Sequence, residues 1–326
     1  MSTIKLLTAK TSKKEEQAIQ ISELESKLEN IKSGWLDILN PGESEKDFLL
    51  NKLRFHPLAV EDCFADPVDR AEHYETHRFV VLKARDADSE LDTEYLLIFL
   101  TENLLVTVRN TAIPSIERFR SRYHSRRQKW LERGPEFLLY ELLDSVADDW
   151  MDILSTYSDK LDTLEDRVFD PNNRYSDILE SLHQIKQDLR EIQKSIIPLQ
   201  NIVSRLLRPD EEFISEVNYL YFRDLADVIK GLVLRAENYS SGAASTRDTY
   251  LSQVSVRLSE SNAQLSEVMT TLTVIGSIML PLSLIAGIAG MNIGSDFNFQ
   301  QIILFMASFT IVMLFYFYRK GWIGPK

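Results

Sequence analysis

Asn262, Ser266, Met269, Thr273, Gly276, Leu280, Ser283, Gly287 and Gly290 follow one another at spacings that alternate four and three. An average period of 3.5 keeps such positions on one continuous stripe of a supercoiled helix. Asn, Ser, Thr and Gly make poor surface against lipid tails but suit either a water-filled lumen or the close approach of another helix. Met269 and Leu280, with Leu272 beside them, interrupt the polar stripe as apolar rings able to close a wet path by excluding water. The stripe ends in Gly290-Met291-Asn292, where a ring of Asn amides and backbone carbonyls could hydrogen-bond the water shell of a cation without stripping it.

These residues need helices that cross a bilayer. No charged residue occurs from Val268 to Ser295, nor from Phe297 to Tyr318. Both runs exceed the roughly 20 residues that span a hydrocarbon core. We therefore expect a first membrane helix over 268–293, a loop over 294–296, a second helix over 297–318 and a tail over 319–326. The first span is rich in small and hydroxyl residues and the second in Phe, Ile, Leu, Met and Tyr, which suggests an inner helix and a lipid-facing one. Arg319, Lys320 and Lys326 follow the second span while the loop holds only Asp296, so both termini are expected in the cytoplasm, with Asp296 at the outer mouth. Two helices cannot enclose a path by themselves, and conduction would require an oligomer.

The remainder reads as charged and cytoplasmic. Residues 1–134 are expected to form an α/β domain, with strand-like runs at 34–39, 77–84, 94–100 and 103–108, the last two close enough for a hairpin. Residues 135–267 are expected to form a helical stalk: a stripe of apolar residues at helical spacing runs through 136–169. After Asp210, a candidate N-cap, no proline occurs until Pro281, so one helix over 211–292 is predicted. A net charge of −12 in 326 residues argues against nucleic acid as a partner and favours cations. Cys63 is the only cysteine, which excludes an intrachain disulfide, and no apolar signal-peptide core follows the N-terminus.

With these residues in place, the chain resembles the CorA family of magnesium transporters over nearly its whole length. Gly290-Met291-Asn292 looks like the family's GMN signature, preceded by a family-like run over 279–288. His56-Pro57-Leu58-Ala59-Val60-Glu61-Asp62, Phe79-Val80-Val81-Leu82-Lys83, Tyr221-Phe222-Arg223-Asp224 and Tyr250-Leu251-Ser252 match in the family's order. The resemblance implies an N-terminal α/β domain, a long helical stalk and two C-terminal membrane helices, assembled as a funnel-shaped homopentamer in the cell membrane whose first span lines the pore. It implies passive magnesium transport, with cobalt and nickel as further cargo and ion selection at Gly290, Met291 and Asn292. It also implies regulatory magnesium between neighbouring subunits at Asp62 and Asp224, with Glu61 and Asp227 nearby, where the unbound carboxylates would repel one another and loosen the ring.

Two departures keep a zinc transporter of the ZntB branch in view: Ala289 precedes Gly290 in place of an aromatic residue, and 293–296 lacks the family's Met-Pro-Glu segment. A membrane scaffold would need no polar stripe. His73 and His77 are four apart, but at a β-run that spacing does not bring two imidazoles onto one zinc ion. No catalytic motif is present, so no enzyme is expected.

Overall fold

The computed structural model describes residues 2–8, 19, 21–28, 31–170, 177–209, 213–290 and 299–323. The chain divides into two compact units, Met1–Arg247 and Asp248–Lys326.

In the first unit, β1 (Thr3–Thr8), β2 (Gly34–Leu39), β3 (Arg70–His73), β4 (Arg78–Arg85), β5 (Thr93–Leu100) and β6 (Leu104–Arg109) form one sheet in the order β1-β2-β6-β5-β4-β3. β2 and β6 run parallel and the other neighbours antiparallel. The hairpin between β5 and β6 turns through 101–103, where the Thr101 hydroxyl accepts from the Leu104 N–H at 3.0 Å.

Side chains alternate across these strands. Leu36, Ile38, Phe79, Val81, Leu97, Phe99 and Val106 join a core with Leu24 of α1 (Ile21–Leu28), the π-turn Phe48–Lys52 that follows α2 (Glu43–Asp47), and Ala59 and Val60 of α3 (Pro57–Glu61). On the opposite face, α4 (Pro114–Glu132) and α5 (Pro135–Phe169) cover the sheet, with Trp35 edge-on to Phe119 at 4.6 Å. Burial of both faces explains why the strands read as near-continuous apolar runs.

A charged knot sits inside this second face. Asp37 accepts from Thr107 Oγ1 at 2.8 Å, from Arg109 Nε and Nη2 at 3.2 and 2.9 Å, and from Arg120 Nη2 at 2.6 Å. Asp37 and both arginines are buried. Two guanidiniums share one carboxylate, so β2, β6 and α4 are fixed together by charge-assisted bonds.

α6 (Ile178–Leu206) follows α5, and α7 (Glu216–Gly290) is a single helix, within the predicted 211–292; Asp210 lies outside the described residues. The early part of α7 buries Phe222, Leu225, Ile229, Leu232 and Ala236 at spacings of three and four, and Ala243 seven residues further on. Further along, Gly242 lies so close to α5 that a Cβ there would stand 3.1 Å from Leu161 Cδ2, and Thr246 donates to Glu165 at 2.8 Å.

The second unit contains residues 248–290 of α7 and α8 (Phe299–Arg319). Each helix has an apolar window long enough to cross a membrane, and each window is almost wholly exposed. At 1.5 Å per residue, this part of α7 is about 65 Å long, roughly twice the hydrocarbon core of a bilayer. Its charged first half therefore extends beyond any membrane that its apolar second half crosses.

Candidate functional site

The stripe from Asn262 to Gly290 lies on the helix α7 that the spacing predicts. A straight helix carries a seven-residue repeat round its axis by about 20° per heptad, so the stripe winds gradually as it descends. Within the chain it is left open. Asn262, Ser266, Thr273, Ser283, Gly287 and Gly290 are exposed and Gly276 is half-buried. Leu280, Met269 and Leu272 are exposed at 73%, 65% and 63%. A shielded row, Val274, Ile278, Pro281 and Ile285, runs along a different face, and Thr270, Ser277 and Leu282 are half-buried beside it. On α8 the shielded stripe runs Ile302, Met306, Phe309, Met313 and Phe317.

Among the described residues, a Cβ at Gly276, Gly287 or Gly290 would meet nothing within 4 Å. Glycine in a helix costs about 1 kcal/mol relative to alanine, and no contact among those residues offsets it here. The threonines of this segment bond to their own backbone: Thr270, Thr271 and Thr273 donate to the carbonyls of Ser266, Glu267 and Met269 at 2.8, 3.0 and 2.7 Å. Met291, Asn292 and Asp296 lie outside the described residues.

The acids expected to bind a regulatory ion fall into two neighbourhoods of the first unit. Asp62 opens the 3-10 turn Asp62–Phe64 directly after Glu61, which is exposed. Its carboxylate, 17% exposed, is held by the Arg70 guanidinium, whose Nε also stands 3.2 Å from Glu72. Burial pushes the Asp62 carboxyl up; Arg70 opposes this, while Glu72 and Glu61 add to it. Asp224 and Asp227 are exposed on α7, where Asp224 lies in the field of Tyr140 and Asp144 of α5. Among the described residues no three His, Cys, Asp or Glu side chains converge to hold a metal. In the structure a cation of the same chain, Arg70, already pairs with the Asp62 carboxylate.

His73 closes β3, while His77 precedes β4 with its ring buried against Phe55, Tyr74 and Phe99. Burial, with the neighbouring His56 and His73, lowers the His77 pKa to about 4, so it is neutral at physiological pH. Beside it opens a cleft of about 760 Å³, lined by the β3–β4 and β5–β6 turns and by Arg133, Glu136, Ser215 and Asn218. Glu136 was not singled out by its sequence. It accepts from Arg78 Nη1 at 2.6 Å, from the Ser215 N–H and hydroxyl at 3.1 and 2.5 Å, and from Asn218 Nδ2 at 2.9 Å. It therefore ties β4, α5 and the start of α7 together. The only local signal is Gly134-Pro135, which marks where α5 begins.

A family model described as a CorA-like Mg2+ transporter protein matches residues 30–319. The chain is 29% identical over 278 residues to the cobalt/magnesium transport protein CorA of Thermotoga maritima, covering 82% of this chain and 77% of that one. The complete structure of the CorA magnesium transporter from Methanocaldococcus jannaschii matches with a TM-score of 0.66 at 22% identity, covering 99% of each chain. The ZntB cytoplasmic domain from Vibrio parahaemolyticus matches with a TM-score of 0.57 at 15% identity, covering 68% of this chain and 88% of that one. At such identities the two structures speak for the fold alone.

Proposed function

Because the chain belongs to the CorA-like Mg2+ transporter family, a family of membrane proteins that move divalent metal ions and are not enzymes, we propose that it forms a homopentameric channel for passive Mg2+ entry. The observation that carries this reading is the stripe on α7. It is exposed within the chain except at the half-buried Gly276, it is largely polar or small where lipid would favour apolar bulk, and among the described residues an added methyl at its glycines would meet nothing. Such a face suits copies of itself set around a wet axis. Gly290, Met291 and Asn292 at its end select the cargo as a hydrated ion, and Met269, Leu272 and Leu280 form the apolar constriction. A doubly charged ion entering a negative interior gains about 4.6 kcal/mol per 100 mV, so no coupling ion is needed.

Asp62 and Asp224, with Glu61 and Asp227 beside them, serve as the regulatory site. All are hard oxygen donors, the kind Mg2+ takes while keeping several waters. Since no three such groups converge among the described residues, the donors on this reading come from two subunits, and an ion shared between them would favour the closed assembly.

Flux into liposomes, compared for Mg2+, Co2+, Ni2+ and Zn2+, tests the proposal with Asn292→Ala as the critical variant. Loss of Mg2+ preference in the variant is expected. Unchanged flux and selectivity would remove the motif from ion selection. Zn2+ is the alternative cargo, in keeping with the fold likeness to the ZntB cytoplasmic domain, and Zn2+ flux exceeding Mg2+ flux in the unmodified protein would decide for it.

A further inference from the structure

The ion pair between Arg70 and Asp62 has a role beyond holding β3 to the 3-10 turn before it. Arg70 opens β3 opposite Val81, and Glu72 lies opposite Phe79, so Arg70, Glu72 and Phe79 share one face of the sheet. The guanidinium is fixed from three sides. It bonds the Asp62 carboxylate, its Nε stands 3.2 Å from Glu72 Oε2, and its carbon lies 5.8 Å from the centre of the buried Phe79 ring. Tyr74 in turn donates to Glu72 Oε2 at 2.5 Å and steadies that carboxylate. Asp62 and Arg70 are both largely shielded, at 17% and 27% side-chain exposure, so water screens their attraction less than on an open surface.

Resting on the reading of Asp62 as a regulatory ligand, we infer that Arg70 is a tethered competitor for the divalent ion, setting the Mg2+ concentration at which the cytoplasmic units lock together. A carboxylate cannot give the same oxygens to a guanidinium fork and to a hydrated Mg2+ at once. Glu72 provides the alternative berth, because the guanidinium already touches it and needs only to release Asp62. The apparent affinity for the ion is then the intrinsic affinity multiplied by the fraction of time that Asp62 is free. A pair worth as much as a good partly shielded ion pair weakens ion binding about fivefold.

The test uses the full chain in detergent, with protection from limited proteolysis measured across a series of Mg2+ concentrations. Arg70→Met should lower the midpoint of protection about fivefold. Arg70→Lys, whose single ammonium cannot reach Asp62 and Glu72 together, should lower it by less. Lys83→Met removes a positive charge from the same face of the sheet without touching Asp62, and should leave the midpoint unchanged. An unshifted midpoint in Arg70→Met overturns the inference, as does a shift in Lys83→Met of equal size, which would mark a general charge effect. If Arg70→Met fails to recover the wild-type cleavage pattern in saturating Mg2+, Arg70→Lys decides: a lowered midpoint supports the inference and an unchanged one overturns it. Asp62→Asn separates this inference from the reading beneath it. Loss of Mg2+ protection in that variant keeps Asp62 as a ligand whatever Arg70 does, whereas a wild-type midpoint removes both.

Discussion

Glu136, in the first turn of α5, accepts from both the backbone N–H and the hydroxyl of Ser215, the residue immediately before α7. Its other oxygen takes Arg78 from β4. One carboxylate therefore connects the sheet, α5 and the helix that continues into the apolar segment, and disturbing it should loosen the start of α7 first.

Burial pushes the Glu136 carboxyl up, but the bonds from Ser215, Asn218 and Arg78 outweigh this and hold it below the usual value of 4.5. A carboxyl with a depressed pKa contributes stability that is complete above its unfolded value and lost as pH falls through the folded one. Glu136→Gln should cost about 1–3 kcal/mol at pH 7. The gap between variant and wild type should narrow as pH drops below 4.5, which melting curves at pH 7 and at acid pH will measure.

Asp37→Ala should be more damaging. It takes the buried carboxylate away from two buried guanidiniums, Arg109 and Arg120, and leaves them Glu117, which is 2.7 Å from Arg120 Nη1 and 3.8 Å from Arg109 Nη2 but more than half exposed. Breaking a buried pair from one side costs about 3–5 kcal/mol. We expect a large fall in melting temperature and early proteolysis within Met1–Arg247.

At Gly242 the two helices are nearly in contact. A methyl group there would press only on the flexible end of Leu161, so Gly242→Ala should change stability little. Gly242→Leu overpacks the gap and should cost about 1–3 kcal/mol. Paired melts of the two variants will separate packing from helix propensity.

Gly287→Ala gives the opposite pattern, with no fold penalty and an altered function. The chain offers the new methyl no neighbour, and alanine favours the helix by about 1 kcal/mol. Melting should therefore be unchanged or improved while Mg2+ flux falls, because the methyl occupies space that other copies or the ion path would use. Unaltered flux would mean that this glycine lies off the path.

Much of the architecture was legible because its elements carry strong periods. The hairpin of β5 and β6, the α5 stripe and the length of α7 follow from runs of alternating or helical spacing. The two apolar helices follow from uncharged length alone. The polar stripe was visible because its spacing held across Pro281. Contacts made by side chains far apart in sequence were not legible. Glu136 meets Ser215 across 79 positions and Asp37 meets Arg120 across 83, and no local pattern encodes such meetings. Arg70 is only eight residues from Asp62, yet the intervening chain follows no period that would place a guanidinium on a chosen carboxylate.

The hydroxyls of Thr270, Thr271 and Thr273 each give their proton to a carbonyl one turn back. A hydroxyl used in this way has only lone pairs left for whatever lies beside it. Of the three, Thr273 lies on the stripe, and there it acts as a one-sided solvent: its lone pairs accept from the outward-pointing hydrogens of a cation's water shell while its proton is already committed to Met269. On the proposed path this discrimination by sign would act at the start of the span, without a fixed charge, after the cargo has passed Gly290-Met291-Asn292.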